Sequence, residues 1–173
     1  MNALLLPGMS PRHREWIRQL AEAIKPHFGE VRFLDYAHWD TPGAEMDLER
    51  EIHQAAELAK DLGEYVVIAK SIGTVLTTLG TARGMLAPQA CVFLGFPLNV
   101  VHDLLEAGEL AEALKQLPPT AFVHNQNDPL GTADEVRAYL AKNAPAKYEI
   151  IPTPGDTHDY VDFNQMIQLA SAQ

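Results

Sequence analysis

A serine, an aspartate and a histidine, each just beyond an apolar strand-like run, are the residues of this sequence best placed for covalent chemistry. Ser71 lies in Ala69-Lys70-Ser71-Ile72-Gly73, between the run Tyr65-Val66-Val67-Ile68-Ala69 and the helix-compatible Thr74-Val75-Leu76. A serine at a sharp strand-to-helix turn between small residues forms a nucleophile elbow. The strained backbone pushes the hydroxyl clear of the sheet, and small residues two positions away let strand and helix approach. Gly73 is one such residue; Ala69 is one methyl larger than the usual glycine. Asp128 sits in the turn Asn127-Asp128-Pro129-Leu130 after the run Thr120–Asn125, and His158 in Gly155-Asp156-Thr157-His158 after Tyr148–Pro152. A serine hydroxyl is a poor nucleophile at neutral pH and needs a base. His158 is the candidate base, and Asp128 would fix its tautomer and stabilise the imidazolium.

In a parallel sheet the carboxyl ends of the strands lie along one edge, where sites of open α/β folds are built. Three residues that each follow a different strand are therefore expected to converge. The chain order Ser, Asp, His distinguishes this arrangement from the chymotrypsin and subtilisin orders. On these motifs, Ala69–Gly73, Asn127–Leu130 and Gly155–His158, the chain resembles the α/β-hydrolase superfamily, in particular small serine hydrolases with little or no lid. The resemblance implies a six-stranded, mostly parallel sheet in the order 2-1-3-4-5-6, with helices on both faces and the elbow strand central. It also implies oxyanion donors at the backbone N–H groups of Met9 and Ile72. The family often has His-Gly after its first core strand, whereas this chain has Leu6-Pro7-Gly8-Met9. The implied activity is that of a carboxylesterase or thioesterase, cleaving a small or medium acyl ester through an acyl-enzyme. A non-catalytic binding module on the same fold is the alternative, motivated by the missing His-Gly, by Ala69 and by the short chain.

The elements that must position these residues alternate. Strand-like runs occur at Ala3–Leu6, Val31–Tyr36, Tyr65–Ala69, Ala90–Gly95, Ala121–Asn125 and Tyr148–Pro152. Helical periodicity places Trp16, Ile17, Leu20, Ala21 and Ile24 on one stripe within Pro11–Lys25. It does the same for Leu48, Ile52, Ala55, Ala56 and Ala59 within Asp47–Leu62, and for Val136, Tyr139 and Leu140 after a Thr132 N-cap. Strands alternating with helices predict a doubly wound α/β sheet, here in one domain over 1–173. The longest connection, Asn99–Pro118, is expected to form helices at Val101–Glu106 and Leu110–Leu117, as a small cap or an ordinary crossover.

Each assignment has a plainer alternative. Ser71 could simply cap the following helix, Asp128 could shape a turn before Pro129, and His158 could be a surface loop residue. Asp156 and Asp159 flank His158 and compete with Asp128 for the acid role. Lys70 is expected to point away from Ser71. Trp39, Phe96, Leu98 and Leu130 follow strand ends and are candidate pocket residues, or core. His124 reads as a core or edge residue, while His13, His27, His53 and His102 read as helix-surface positions. Cys91, in an apolar run, reads as a buried strand cysteine.

No metal or nucleotide cofactor is expected. His38-Trp39-Asp40 and Asp156–Asp159 contain ligand types, but the sequence has no His-Glu-x-x-His and no cysteine pair. The turn after the first strand has one glycine, too few for a dinucleotide fingerprint. A formal net charge of −10 argues against nucleic acid or an anionic membrane as partner. The 173 residues suffice to bury roughly two-thirds of the unfolded surface. The apolar start, Ala3–Leu6, is too short for a signal peptide, and a single cysteine allows no intrachain disulfide, which together fit a cytoplasmic protein.

Overall fold

The computed structural model describes residues 1–104 and 108–172. Six strands form one sheet: β1 (Asn2–Leu6), β2 (Val31–Phe33), β3 (Tyr65–Lys70), β4 (Ala90–Leu94), β5 (Thr120–Asn125) and β6 (Tyr148–Thr153). Their order is β2-β1-β3-β4-β5-β6, and every neighbouring pair is parallel. This is the order the motifs imply, with the elbow strand β3 between β1 and β4. All six residues of β3 are buried, as expected for a central parallel strand covered on both faces.

Alternation along β3 divides the core. Val67 and Ala69 face the layer of α2 (Leu48–Ala59), α3 (Ile72–Ala82), α5 (Glu109–Leu114) and α6 (Ala133–Asn143). Val66 and Ile68 face the layer of α1 (His13–Ile24) and α7 (Phe163–Ser171). Each fully buried aliphatic side chain in these layers contributes about 1.5–3 kcal/mol relative to exposure. The α1 stripe is buried at Ile17, Leu20, Ala21 and Ile24 as its spacing predicts, although Trp16 is only partly covered. Thr132 caps α6 in a full capping box with Glu135.

Three elements differ from the expectation. The second strand stops at Phe33 instead of Tyr36, because the chain leaves the ladder to bury Tyr36 and enters a 3₁₀ turn at Ala37–Asp40. In the longest connection α4 (Leu98–Leu104) starts earlier than expected, and residues 105–107, which include the end of the expected Val101–Glu106 helix, lie outside the described residues. There α5 buries Leu110, Ala113 and Leu114 and packs against α3 and α6, so it is a crossover helix on the sheet. Finally, α7 is an element that the strand-helix alternation above stops short of. Its signal was present in Asp162, which accepts from Gln165 N–H as an N-cap, and in the spacing of Phe163, Met166, Ile167 and Ala170.

Candidate active site

Ser71 joins β3 to α3 with φ 53° and ψ −122°, the only non-glycine residue with positive φ among the described residues. Such a conformation costs about 1–3 kcal/mol and persists only where its surroundings impose it. Here they do. Ser71 N–H donates to Leu94 O (2.9 Å), while Ser71 O accepts from Thr74 N–H (2.9 Å) and from Thr74 Oγ1 (2.7 Å). Gly73 explains how tightly the elbow closes: a Cβ there would lie 2.4 Å from Leu6 O and 2.9 Å from Pro7 O. The Ser71 side chain makes no capping hydrogen bond to α3, so the plain capping role does not describe it.

The structure brings Asp128 and His158 together. His158 Nδ1 donates to Asp128 Oδ2 (2.7 Å) and lies 3.0 Å from Oδ1. Asp128 is 1 % exposed and also accepts from Tyr160 OH at Oδ2 (2.7 Å) and from Leu130 N–H at Oδ1 (2.9 Å). Burial by itself would raise its pKa. The donors from His158, Tyr160 and Leu130 outweigh burial and hold the carboxyl below its usual range. An ionised Asp128 keeps the proton of neutral His158 on Nδ1, which leaves Nε2 as the basic nitrogen. Nε2 is buried and has no hydrogen-bond partner. Asp156 and Asp159 are exposed, and Asp159 pairs loosely with Arg12 at 3.9 Å, so neither takes the acid position.

His158 makes no hydrogen bond to Ser71 and approaches the elbow through Gly95. This residue has φ 61°, and a Cβ on it would lie 2.7 Å from His158 Cε1 and 2.5 Å from Tyr160 Cε2. The imidazole thus packs on the backbone next to Leu94, whose carbonyl anchors Ser71 N–H. Asn125 ties down the histidine loop, donating from Nδ2 to Thr157 O (2.9 Å) and Asp159 O (3.1 Å). Tyr160 OH, besides donating to Asp128, accepts from Asn125 N–H (3.0 Å). Sequence reasoning missed Tyr160 and Asn125. An aromatic hydroxyl two residues after the histidine, and a strand-end amide three before the aspartate, were the signals available.

The loop after β1 is held by an aromatic clamp. Tyr36 OH donates to Pro7 O (2.6 Å); Trp39 Nε1 donates to Met9 O (2.7 Å), and His38 Nε2 lies 2.9 Å from the same oxygen. Tyr36 and His38 stack with centroids 5.6 Å apart, and Glu51 accepts from Ala37 N–H (3.1 Å) at the start of the 3₁₀ turn. These contacts fix the loop that carries Gly8 and Met9. The side chain of Met9 is exposed, and a cavity of about 580 Å³ beside Met9 and Ile72 is also lined by Ser10, Pro11, His38, Ala44, Glu45, Met46 and Leu48.

The four candidate pocket residues lie elsewhere. Trp39, Phe96 and Leu98 are buried in the core layer of α3 and α6, and Leu130 is partly buried in the acid turn; none of them lines that cavity. His13 is corrected outright. It is 7 % exposed, packs against Gly8 and lies 2.8 Å from Lys70 Nζ, because the first turn of α1 faces the sheet edge. His27 and His53 are exposed, while the side chain of His102 lies outside the described residues. His124 is a fully buried strand residue whose Nε2 donates to Gly131 O (2.6 Å), bracing the acid turn. Cys91 is fully buried, and burial pushes its thiol far up from the ordinary range. Among the described residues, no group of three or more His, Cys, Asp or Glu could hold a metal ion, and no helix is long and apolar enough to cross a membrane.

No protein-family model matches the chain, and no curated protein matches it in sequence. Solved structures do match in shape. The N-formylmaleamic acid deformylase of Pseudomonas putida is similar over 99% of this chain and 91% of its own, with TM-score 0.74 at 12% identity. Est1E of Butyrivibrio proteoclasticus with ferulic acid bound is similar over 99% and 86%, with TM-score 0.73 at 13% identity. The monoacylglycerol lipase of Paleococcus ferrophilus is similar over 99% and 94%, with TM-score 0.73 at 11% identity. The chain has the α/β-hydrolase fold.

Proposed function

We propose that the protein is a serine hydrolase that cleaves a small or medium acyl ester or thioester with Ser71, His158 and Asp128. The observation that carries this reading is the Asp128–His158 pair, with Nε2 of His158 unpartnered and the imidazole packed on Gly95, next to the Leu94 carbonyl that accepts from Ser71 N–H. In the proposed reaction Ser71 Oγ attacks the acyl carbon while His158 Nε2 takes its proton. The oxyanion is received by the N–H groups of Ile72 and Met9. Collapse expels the alcohol or thiol with the proton from His158, leaving an acyl-enzyme. Water then repeats the sequence and releases the acid. Asp128 stays ionised throughout and stabilises the imidazolium. Each oxyanion donor contributes about 3–4 kcal/mol to lowering the barrier. The apolar cavity beside Met9 and Ile72 is assigned to the acyl chain. A cytoplasmic setting, without a nucleic-acid or membrane partner, fits the acidic composition.

The direct test is a fluorophosphonate, which phosphonylates activated serines. The wild-type protein is expected to be labelled at Ser71, with labelling abolished in Ser71→Ala and strongly reduced in His158→Ala. A folded protein left unlabelled between about pH 6 and 9, the range in which a histidine base becomes neutral, would favour the binding-module alternative instead.

The clamp on Met9 makes a smaller prediction. Trp39→Phe keeps the ring and removes the indole donor to Met9 O. A loosened donor loop should lower kcat about tenfold with little change in KM. Unchanged steady-state kinetics in this variant would detach the clamp from catalysis.

A further inference from the structure

Nothing in the proposed chemistry uses the side chain of Lys70, the last residue of β3. It is 1 % exposed, with Nζ 2.8 Å from His13 Nε2 and 5.9 Å from the centre of the Trp16 ring. Among the described residues no carboxylate forms an ion pair with it. An ammonium has three donors, and here a single acceptor is present. A buried cation with no carboxylate in direct contact is unfavourable unless something completes its shell. A cavity of about 270 Å³ borders it, with Arg12, His13, Trp16, Lys70, Asp159 and Tyr160 among its walls.

The position of this cavity is informative. Asp159 and Tyr160 directly follow His158, Tyr160 holds Asp128, and Lys70 directly precedes Ser71. The cavity therefore lies on the α1/α7 side against the residues that follow His158, without being lined by His158 or Ser71 themselves, whereas the apolar cavity beside Met9 and Ile72 reaches toward α2. In the proposed reaction His158 hands its proton to the leaving group, and the cavity shares its wall with the loop that carries His158. Burial draws Lys70 down to about 8, partly offset by the nearby charge of Asp159. Burial and the charge of Lys70 draw His13 down to about 4. At neutral pH the ammonium thus keeps its proton, and neutral His13 accepts from it.

We propose that this cavity is a leaving-group subsite for substrates carrying a carboxylate, with Lys70 as its principal cation and Arg12 at its rim. Asp159, exposed and loosely paired with Arg12, lies at the same rim and moderates the site. The substrate class rests on the serine-hydrolase reading, but the anion site itself does not require turnover.

Two substrates that differ only in this charge provide the test: 4-acetoxybenzoate and its neutral methyl ester. The methyl ester has the better phenolate leaving group, so a bare nucleophile would favour it. The wild-type kcat/KM is expected to favour the anionic substrate by about tenfold or more, the scale of one charge-assisted contact in a shielded site. That ratio should collapse in Lys70→Met. Calorimetry with 4-hydroxybenzoate on Ser71→Ala separates the two readings. Binding there, weakened about tenfold by adding Lys70→Met, supports the anion site even if no ester is turned over. Turnover without preference for the anionic ester in the wild type, or a folded Lys70→Met that retains the preference, would overturn it.

Discussion

Ser71→Ala is expected to lower ester kcat/KM by about 10⁴- to 10⁶-fold, the range seen when the nucleophile of a triad is removed. His158→Ala should fall in the same range, and the double variant should be scarcely worse than either single one, because the residues act as a unit. Asp128→Asn is predicted to keep the geometry but present the wrong tautomer of His158, with a loss of about 10⁴-fold in kcat. The backbone at Ser71 adds a second readout that a surface serine would not give. Its φ of 53° is strained for any residue with a Cβ, so Ser71→Gly should be inactive yet more stable than wild type by about 1 kcal/mol. Thermal unfolding of this variant together with its turnover checks both halves. Retention of more than a tenth of wild-type turnover in Ser71→Ala would show that the reaction, if any, proceeds elsewhere.

Gly73→Ala is the second large effect, and it arises from packing alone. The added methyl would lie 2.4 Å from Leu6 O and 2.8 Å from Leu6 C, both backbone atoms at the end of strand β1. Neither can swing aside as a side chain would, so α3 or the loop after β1 must move. The expected cost is about 2–4 kcal/mol of stability, the upper range for overpacking a core. The same shift moves Ile72 and Met9 relative to the nucleophile, and a displacement near 1 Å costs on the order of 100-fold in rate. Gly80→Ala provides the comparison within the same helix. The atoms nearest its methyl would all be side-chain atoms, Leu86 Cδ1 and Cγ at 2.8 and 3.1 Å and the Ile52 methyl at 3.6 Å. The Leu86 side chain can adjust, and alanine adds up to about 1 kcal/mol of helix propensity. Chemical denaturation should therefore separate the two variants widely. Equal stabilities would mean that the elbow is not closed against Leu6 as described.

Much of this arrangement was legible in the order of residues. Hydrophobic runs separated by periodic stretches define alternating strands and helices, because burial on two faces and on one face leave different patterns. The elbow was readable because its local requirements, small residues around a serine between strand and helix, are written within five positions. Ser71, Asp128 and His158 could be nominated because a parallel sheet carries the ends of its strands to one edge. What the linear order does not carry is which side chains meet across that edge. Tyr160 reaches Asp128 over 32 positions, and Trp39 reaches Met9 over 30. The polar type of His13 suggests a surface residue, but it lies four positions before Ile17 on the buried stripe of α1 and closes on Gly8 and Lys70. Local pattern reports whether a residue prefers water; the packing of distant elements decides which polar groups are enclosed together. The sequence by itself determined the sheet and the three candidate side chains at its edge. Only the tertiary structure decided the clamp on the loop after β1 and the burial of the Lys70 ammonium against His13, since both depend on contacts between elements far apart in the chain.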